Sequence, residues 1–275
     1  MILFGSGIAL LSFVLEVFGE HTLSVREVSG LLVLSLALLA GYWQHAKSLA
    51  YRLLQLSLFK IRTFRAAVNG SFFTRLGIGG VPSLSPLLYQ VGLGFSPVQS
   101  GLLIMPQALA AMRMKVVMPR ILSVLGYRWV LVTNTIILGL LLLLFATIGL
   151  HTSVWIIVLQ AFFYGAFALL QYTSMNTLVY ADTTDQQSSA ASSIASTMQQ
   201  MSISFGVAAA GLATAFFVPA NGQSGPSNPS DMIHGIHQAL VALGALTIVT
   251  AIVFRGLKRG AGDSVSHEKF FHPDG

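Results

Sequence analysis

Apolar residues occur along the chain in blocks of about twenty, separated by short polar and charged segments. Blocks of that length match an α-helix that crosses roughly 30 Å of hydrocarbon at about 1.5 Å per residue. The pattern therefore predicts an all-α integral membrane protein with about eight transmembrane helices. The predicted helices are residues 1–19, 28–46, 67–90, 98–118, 129–149, 153–178, 190–217 and 235–256.

Composition supports this fold class. Hydrophobic residues make up 54% of the chain and charged residues only 9%, whereas a soluble domain has about 25% charged residues. The chain has no cysteine, which excludes disulfides and thiolate metal sites.

The cations are distributed asymmetrically between the two sides of the predicted membrane. All but two of the 15 Lys and Arg fall in the even-numbered connections and the C-terminal tail or at the ends of the helices that border them; the exceptions are Arg26 and Arg75. Because cationic loops are retained in the cytoplasm, the C-terminus is predicted to be cytoplasmic and Arg26 external. The connection near Asp182 and Asp185 has no cation, so its side follows from counting helices. This placement explains the net charge of +6 without a nucleic-acid partner.

Two longer stretches have a recognisable sequence. They are FFTRLGIGGVPSLSPLLYQVGLGFSPVQSGLLIMPQALAAMRMKVVMPRILSVLGYR, residues 72–128, and SMNTLVYADTTDQQSSAASSIASTMQQMSISFGVAAAG, residues 174–211. Both resemble the major facilitator superfamily in its fourteen-helix drug/proton antiporter branch. The first stretch resembles the seventh and eighth helices of that superfamily.

The resemblance implies a division of the chain. Residues 1–46 would be the branch's two extra helices, 47–66 a basic cytoplasmic linker, 67–256 the six-helix C-terminal half, and 257–275 a cytoplasmic tail. It also implies an exporter in the inner (plasma) membrane of the cell, surrounded by lipid, that exchanges a small molecule for protons by alternating access. The family's proton-coupling acids lie in an N-terminal half that these residues do not include, so we expect a C-terminal portion of a longer chain. Two alternatives remain open: a half-size transporter that dimerises, and a membrane interaction subunit without transport activity.

Arg75 is the most unusual residue within a predicted helix. It lies ten residues beyond Arg65, about 15 Å along the helix and close to the bilayer midplane. A cation at that depth costs at least about 2.5–3.5 kcal/mol unless it faces protein or water. We therefore expect it to face the helix bundle, either as part of the substrate pathway or as a structural tie to neighbouring helices.

Polar side chains also recur in the sixth and seventh predicted helices. Gln160, Tyr164 and Gln171 fall on one helical face, and Gln199 and Gln200 follow in a serine-rich helix. Such groups either line a wet cavity or bond to another helix. All five are candidates for the substrate pathway.

Three prolines lie inside predicted helices: Pro82 and Pro86 in the third, and Pro106 in the fourth. Proline removes an amide donor and clashes with the preceding turn, so we expect these helices to bend or open locally. Opened helices line cavities in transporters, whereas a fixed kink would be purely structural.

The predicted cytoplasmic turn between Arg120 and Arg128 resembles a loop signature that the superfamily repeats. Gly126 and Arg128 match the signature, Arg120 adds charge, and Ser123 stands where the signature has an acid. The alternative is a plain retention signal of positive charge.

Motifs of enzymes are absent from the sequence: it has no HExxH, no GxSxG and no GxxxxGK[ST]. His234 and His237 share a helical face but have no third ligand nearby in the sequence. We expect neither an enzyme nor a bound metal or cofactor, and the identity of the substrate cannot be read from these residues.

Overall fold

A computed structural model describes residues 56–217, 229–258 and 261, together with five positions between 30 and 37. Every element of regular secondary structure in these residues is helical. The predicted helix 1–19, nearly all of the helix 28–46, and most of the linker, the external loop and the tail lie outside the described residues.

Six helices form the described part of the chain. A short 3₁₀-helix, Leu56–Lys60, precedes the first of them, and a π-helix, Leu88–Gly92, follows the second. The helices are α1 (Arg62–Ile78), α2 (Val81–Leu87), α3 (Pro97–Phe145), α4 (Val154–Leu178), α5 (Asp185–Phe217) and α6 (Pro229–Arg255).

The predicted helix 67–90 is broken. α1 ends at Ile78, Gly79 and Gly80 form a turn, and α2 begins with Pro82 in its first turn, where the missing N–H is tolerated. Pro86 lies inside α2, and the chain widens into the π-helix directly after it. In contrast, α3 continues as a helix through Pro106.

The start of α3 is fixed by local hydrogen bonds. The Ser96 hydroxyl accepts from the Gln99 N–H at 3.3 Å, and the Gln99 side chain accepts from the Ser96 N–H at 2.9 Å. This reciprocal pair is a capping box, and Pro97 occupies the first helical position.

α3 reverses direction at Gly126. The backbone there has φ 73° and ψ 154°, a conformation that favours glycine. Leu103 and Phe145 share one hydrophobic cluster, whereas Leu122 and Tyr127 share another, so the chain runs from the first cluster to the second and back. Both predicted helices, 98–118 and 129–149, are therefore present. The predicted turn between them is shorter than expected, because the helix stays regular up to the reversal.

The second cluster marks one end of the molecule. There Arg62 Nε donates to the Gly256 carbonyl at 2.9 Å, and the Thr63 hydroxyl donates to the Asp182 carboxylate at 2.7 Å. We call this end, which also carries Arg128, the basic end. The connection without a cation, near Asp182, thus lies at the same end as the cationic ones, as the alternation of predicted helices requires.

Three helices in the described residues are long and apolar enough to cross a membrane: α3, α4, and Met232–Arg255 of α6. The fold class of a helical membrane protein is thereby supported. The count of eight transmembrane helices stays a prediction, as do the domain boundaries.

Neighbouring helices approach each other at glycines. A Cβ added to Gly165 of α4 would collide with the backbone of Gln107 in α3. A Cβ on Gly139 of α3 would lie 2.8 Å from the Gly244 carbonyl of α6, and one on Gly206 of α5 would lie 3.1 Å from the Gly79 Cα. Small residues at these crossings allow close backbone packing between membrane helices.

Candidate functional site

Arg75 of α1 is buried in the helix bundle, with 3% of its surface exposed. Its Nε donates to the Ser71 hydroxyl at 2.9 Å, one turn earlier on the same helix. Its Nη2 donates to the Asn176 side-chain oxygen at 3.2 Å, and the guanidinium carbon lies 4.2 Å from the centroid of the Tyr172 ring. Tyr172 and Asn176 are four residues apart on α4, so one face of that helix holds the cation.

The partners of Arg75 are a hydroxyl, an amide and an aromatic face, all of them neutral. In the described ranges the acidic residues are Asp182, Asp185 and Asp231. Asp182 accepts from Thr63, which lies twelve residues before Arg75 and thus about 18 Å away along α1. The guanidinium therefore does not pair with Asp182, and each partner found for it among the described side chains is neutral. Two of the five guanidinium N–H groups of Arg75 donate these hydrogen bonds.

Gln171 takes part in an amide network between α4 and the returning half of α3. Asn134 Nδ2 donates to Gln171 Oε1 and to the Phe167 carbonyl, both at 2.8 Å. Gln171 Nε2 donates to the Thr135 hydroxyl at 2.8 Å. Gln171 is fully buried and both ends of its amide are bonded, so the structure places it in a helix–helix contact.

Tyr164 and Gln160 contact two other elements. The Tyr164 hydroxyl donates to the Ile78 carbonyl at 3.2 Å, at the C-terminal end of α1, where helix carbonyls lack partners within the helix. Its ring also packs edge-on against Phe145, with centroids 5.7 Å apart. Gln160 Nε2 lies 3.5 Å from the Leu144 carbonyl. The predicted polar face of α4 thus contacts α1 and the returning half of α3 in turn.

Gln199 and Gln200 take no part in the contacts that hold Arg75. Both are on α5, where Gln199 is half-buried and Gln200 is exposed. The structure joins Arg75 to α4 through these contacts and shows no contact between Arg75 and the side chain of either glutamine.

Two buried hydroxyls adjoin the Arg75 contacts in sequence. Thr74 precedes Arg75, and Ser174 lies between Tyr172 and Asn176. Neither hydroxyl oxygen has a hydrogen-bond partner among the described residues. An unpaired buried polar group costs about 1–3 kcal/mol, so α1 and α4 retain unused capacity to bond a polar partner.

The loop-signature residues lie at the basic end. Gly126 forms the reversal of α3, Arg128 is half-buried just after it, and Arg120 is exposed in the last turns before it. Ser123, at the position of the missing acid, donates its hydroxyl proton to the Arg120 carbonyl at 3.0 Å.

Five polar residues whose side chains contact Arg75 or Gln171 were not singled out from the sequence: Ser71, Asn134, Thr135, Tyr172 and Asn176. The sequence could have indicated Asn134, because it is a lone amide inside an apolar run. The sequence indicates Tyr172 and Asn176 less clearly, through their spacing of four residues on one helix.

Comparison with known proteins identifies relatives but no matching family model. The chain is 37% identical over 211 residues to a protein of Serratia proteamaculans and 36% identical over 216 residues to one of Escherichia coli O81. A protein of Pectobacterium carotovorum is 35% identical over 213 residues. Each is named "Putative multidrug resistance protein MdtD". The matches cover 77% to 78% of this chain but only 44% to 46% of the relatives. The chain therefore spans less than half the length of the curated relatives it matches.

Proposed function

We propose that the chain forms one wall of the transport pathway in a proton-coupled exporter of small molecules. The exporter would belong to the drug/proton antiporter branch of the major facilitator superfamily and work by alternating access in the plasma membrane. The C-terminus would be cytoplasmic. The other wall and the proton-coupling carboxylates would come from outside these 275 residues.

The buried Arg75 carries this proposal. Holding a cation near mid-membrane is costly, and the neutral partners of Arg75 offset that cost less than a carboxylate would. A permanent structural tie would be better served by an ion pair or by neutral residues. A cation whose remaining N–H groups can meet an anionic or acceptor group during part of a cycle fits a transport pathway.

The position of Arg75 in α1 adds support. The helix ends three residues later, at Ile78, and the chain continues through Gly79 and Gly80 into α2. Broken helices at mid-membrane recur in transporters, because their free backbone groups contact solutes and their two parts can move separately. In this proposal the break allows α2 to tilt while α1 stays packed.

The names of the relatives bear on the substrate. Proteins with 35% to 37% identity over most of this chain are named for multidrug resistance. We therefore propose drug-like small molecules as the substrate class, with Arg75 and the exposed Gln200 facing the pathway at different stages.

The test is a comparison of three variants in the full-length context. Arg75→Met removes the charge and keeps much of the apolar length of the side chain. Arg75→Lys keeps the charge but lacks the planar guanidinium group. Arg65→Met is the matched control. Arg65 lies on the same helix and is exposed. Proton-coupled efflux and thermal unfolding in detergent are measured on the same preparations.

We expect Arg75→Met to abolish efflux while the protein still folds, Arg75→Lys to retain part of it, and Arg65→Met to behave as the parent. If Arg75 is a structural tie, both Arg75 variants lower the melting temperature: Arg75→Met removes the donor to Ser71 and Asn176, and Arg75→Lys lacks the planar geometry that reaches both. Parental efflux and melting in Arg75→Met would refute the proposed role.

A further inference from the structure

A groove runs along the outside of the helix bundle at the basic end. It lies between the returning half of α3 and the last turns of α6, and its volume is ≈ 570 Å³. The residues that matter for its chemistry are Arg128, Trp129, Ile136, Val249, Ile252 and Arg255. A volume of this size is within the range of sites for small organic ligands, about 300–1,000 Å³.

The apolar walls of the groove face outward. Trp129 is 58% exposed, Val249 59% and Ile252 65%. In a bilayer these side chains meet hydrocarbon, so an acyl chain is a matched occupant for this part of the groove. Trp129 lies beside the charged end, which is where tryptophan is enriched in membrane proteins.

The charge at one end of the groove is uniformly positive. Arg128 is half-buried and Arg255 is exposed, and no acidic residue is among the described residues that line the groove. The planar guanidinium group of an arginine can bind two phosphate oxygens at once, and two arginines can share one phosphate group. The groove thus combines an anion-binding end with an apolar channel, the two chemistries of an anionic phospholipid.

We propose that this groove binds one anionic phospholipid of the cytoplasmic leaflet. The lipid phosphate lies between Arg128 and Arg255, and one acyl chain runs past Val249 and Ile252. The site depends on the predicted orientation of the basic end and is independent of the transport role of Arg75.

The charge of the groove also favours a lipid over a protein segment as its occupant. The predicted helix 28–46 contains no acidic residue, and its cytoplasmic end is followed by Lys47, which would be repelled by the two arginines. A second copy would bring the same two arginines to the contact. An anionic headgroup is complementary to this end of the groove.

The test measures binding of phosphatidylglycerol and phosphatidylcholine with identical acyl chains to the purified full chain in detergent, by titration with native mass spectrometry. Arg128→Gln with Arg255→Gln removes the headgroup contacts, and Ile252→Trp fills the channel at an exposed position. Arg113→Gln with Lys115→Gln is the control, because it removes the same charge from two exposed residues outside the groove.

We expect the parent to prefer phosphatidylglycerol. The variant with both arginines replaced should bind that lipid about 25-fold more weakly, at about fivefold per arginine, the factor that corresponds to about 1 kcal/mol per cation near an anionic surface. Ile252→Trp should weaken binding of phosphatidylglycerol although both arginines remain, and the control should bind as the parent does. An equal loss in the control would show general charge attraction, and equal binding of the two lipids in the parent would show no headgroup site; either result overturns the proposal.

A second measurement addresses protein occupants directly. The chain has no cysteine, so Val249→Cys combined with single cysteines across residues 28–46 gives a clean cross-linking series in native membranes. We expect no disulfide from this series and none between copies of the Val249→Cys single variant. An efficient disulfide of either kind would place a helix or a second copy in the groove and overturn the lipid assignment.

Discussion

Gly165 is the position where one added methyl group should have the largest effect on packing. In Gly165→Ala the new Cβ meets three backbone atoms of Gln107, all of them at distances that real Cβ atoms essentially never show. A side chain could rotate out of the way, but the α3 backbone is held by its own helix hydrogen bonds. The variant can therefore fold only if α3 and α4 move apart at their crossing.

The magnitude follows from two opposing effects. Replacing glycine by alanine in a helix stabilises the folded protein by roughly 0.5–1 kcal/mol, because the unfolded chain loses conformational freedom. Overpacking a tight contact costs about 1–3 kcal/mol, and we expect the upper part of that range because backbone opposes the methyl group. Gly101→Ala isolates the first effect: Gly101 lies in α3, and nothing is within 4 Å of its added Cβ.

The assay is thermal unfolding of both variants in one detergent. We expect Gly101→Ala to melt slightly above the parent and Gly165→Ala below it. A difference of about 3 kcal/mol between the two variants corresponds to roughly 6–12 °C at about 2–4 °C per kcal/mol. Equal melting temperatures would refute the close backbone contact between α3 and α4.

Three further variants or fusions test other features. Gln171→Leu should lower the stability of the protein in a detergent melt by about 1–2 kcal/mol, because Asn134 loses an acceptor in a buried site. The double variant Gln171→Leu with Asn134→Leu should lose less stability than the sum of the losses in the two single variants. Gly126→Ala should destabilise by about 1–3 kcal/mol through backbone strain alone, since its added Cβ has open space, and an unchanged melt would contradict the positive φ. A reporter fused after Arg128 should read cytoplasmic and one in the loop before α6 external, and the opposite pair of signals would reverse the predicted topology.

The position of the helices along the chain could be predicted because hydrocarbon thickness sets their length. The described helices Val154–Leu178 and Asp185–Phe217 coincide with the predicted 153–178 and 190–217, apart from the extra first turn of α5. The break before Pro82 was also predictable, since proline and two glycines together disfavour a regular helix. Helix ends were less predictable where a helix continues beyond its apolar run into a charged segment, as the first half of α3 does up to Gly126.

The contacts between helices could not be predicted from the pattern. In a soluble helix the polar face points to water and the apolar face to the core, so the sequence gives the rotation of the helix. In a membrane both surroundings are apolar, so an apolar residue such as Phe167 carries no information about which way it faces. Arg75 was predicted to face inward because its charge excludes lipid, but nothing in the sequence identified Tyr172 and Asn176 as its partners.

The adjacent residues Gln171 and Tyr172 show how differently α4 is attached to its two neighbours. Toward α3, the amide network contains three hydrogen bonds at 2.8 Å; both ends of the Gln171 amide are bonded, and Asn134 Oδ1 has no partner among the described residues. Toward α1, the contact consists of two longer hydrogen bonds, both at 3.2 Å, from Arg75 to Asn176 and from Tyr164 to the Ile78 carbonyl, and of a guanidinium stacked on a ring. Breaking the first contact would leave buried amides unpaired, whereas the second leaves Arg75 free to exchange Asn176 for another acceptor. If the helices move during transport, α4 and the returning half of α3 should therefore move as one body, with the displacement taken up between α4 and α1.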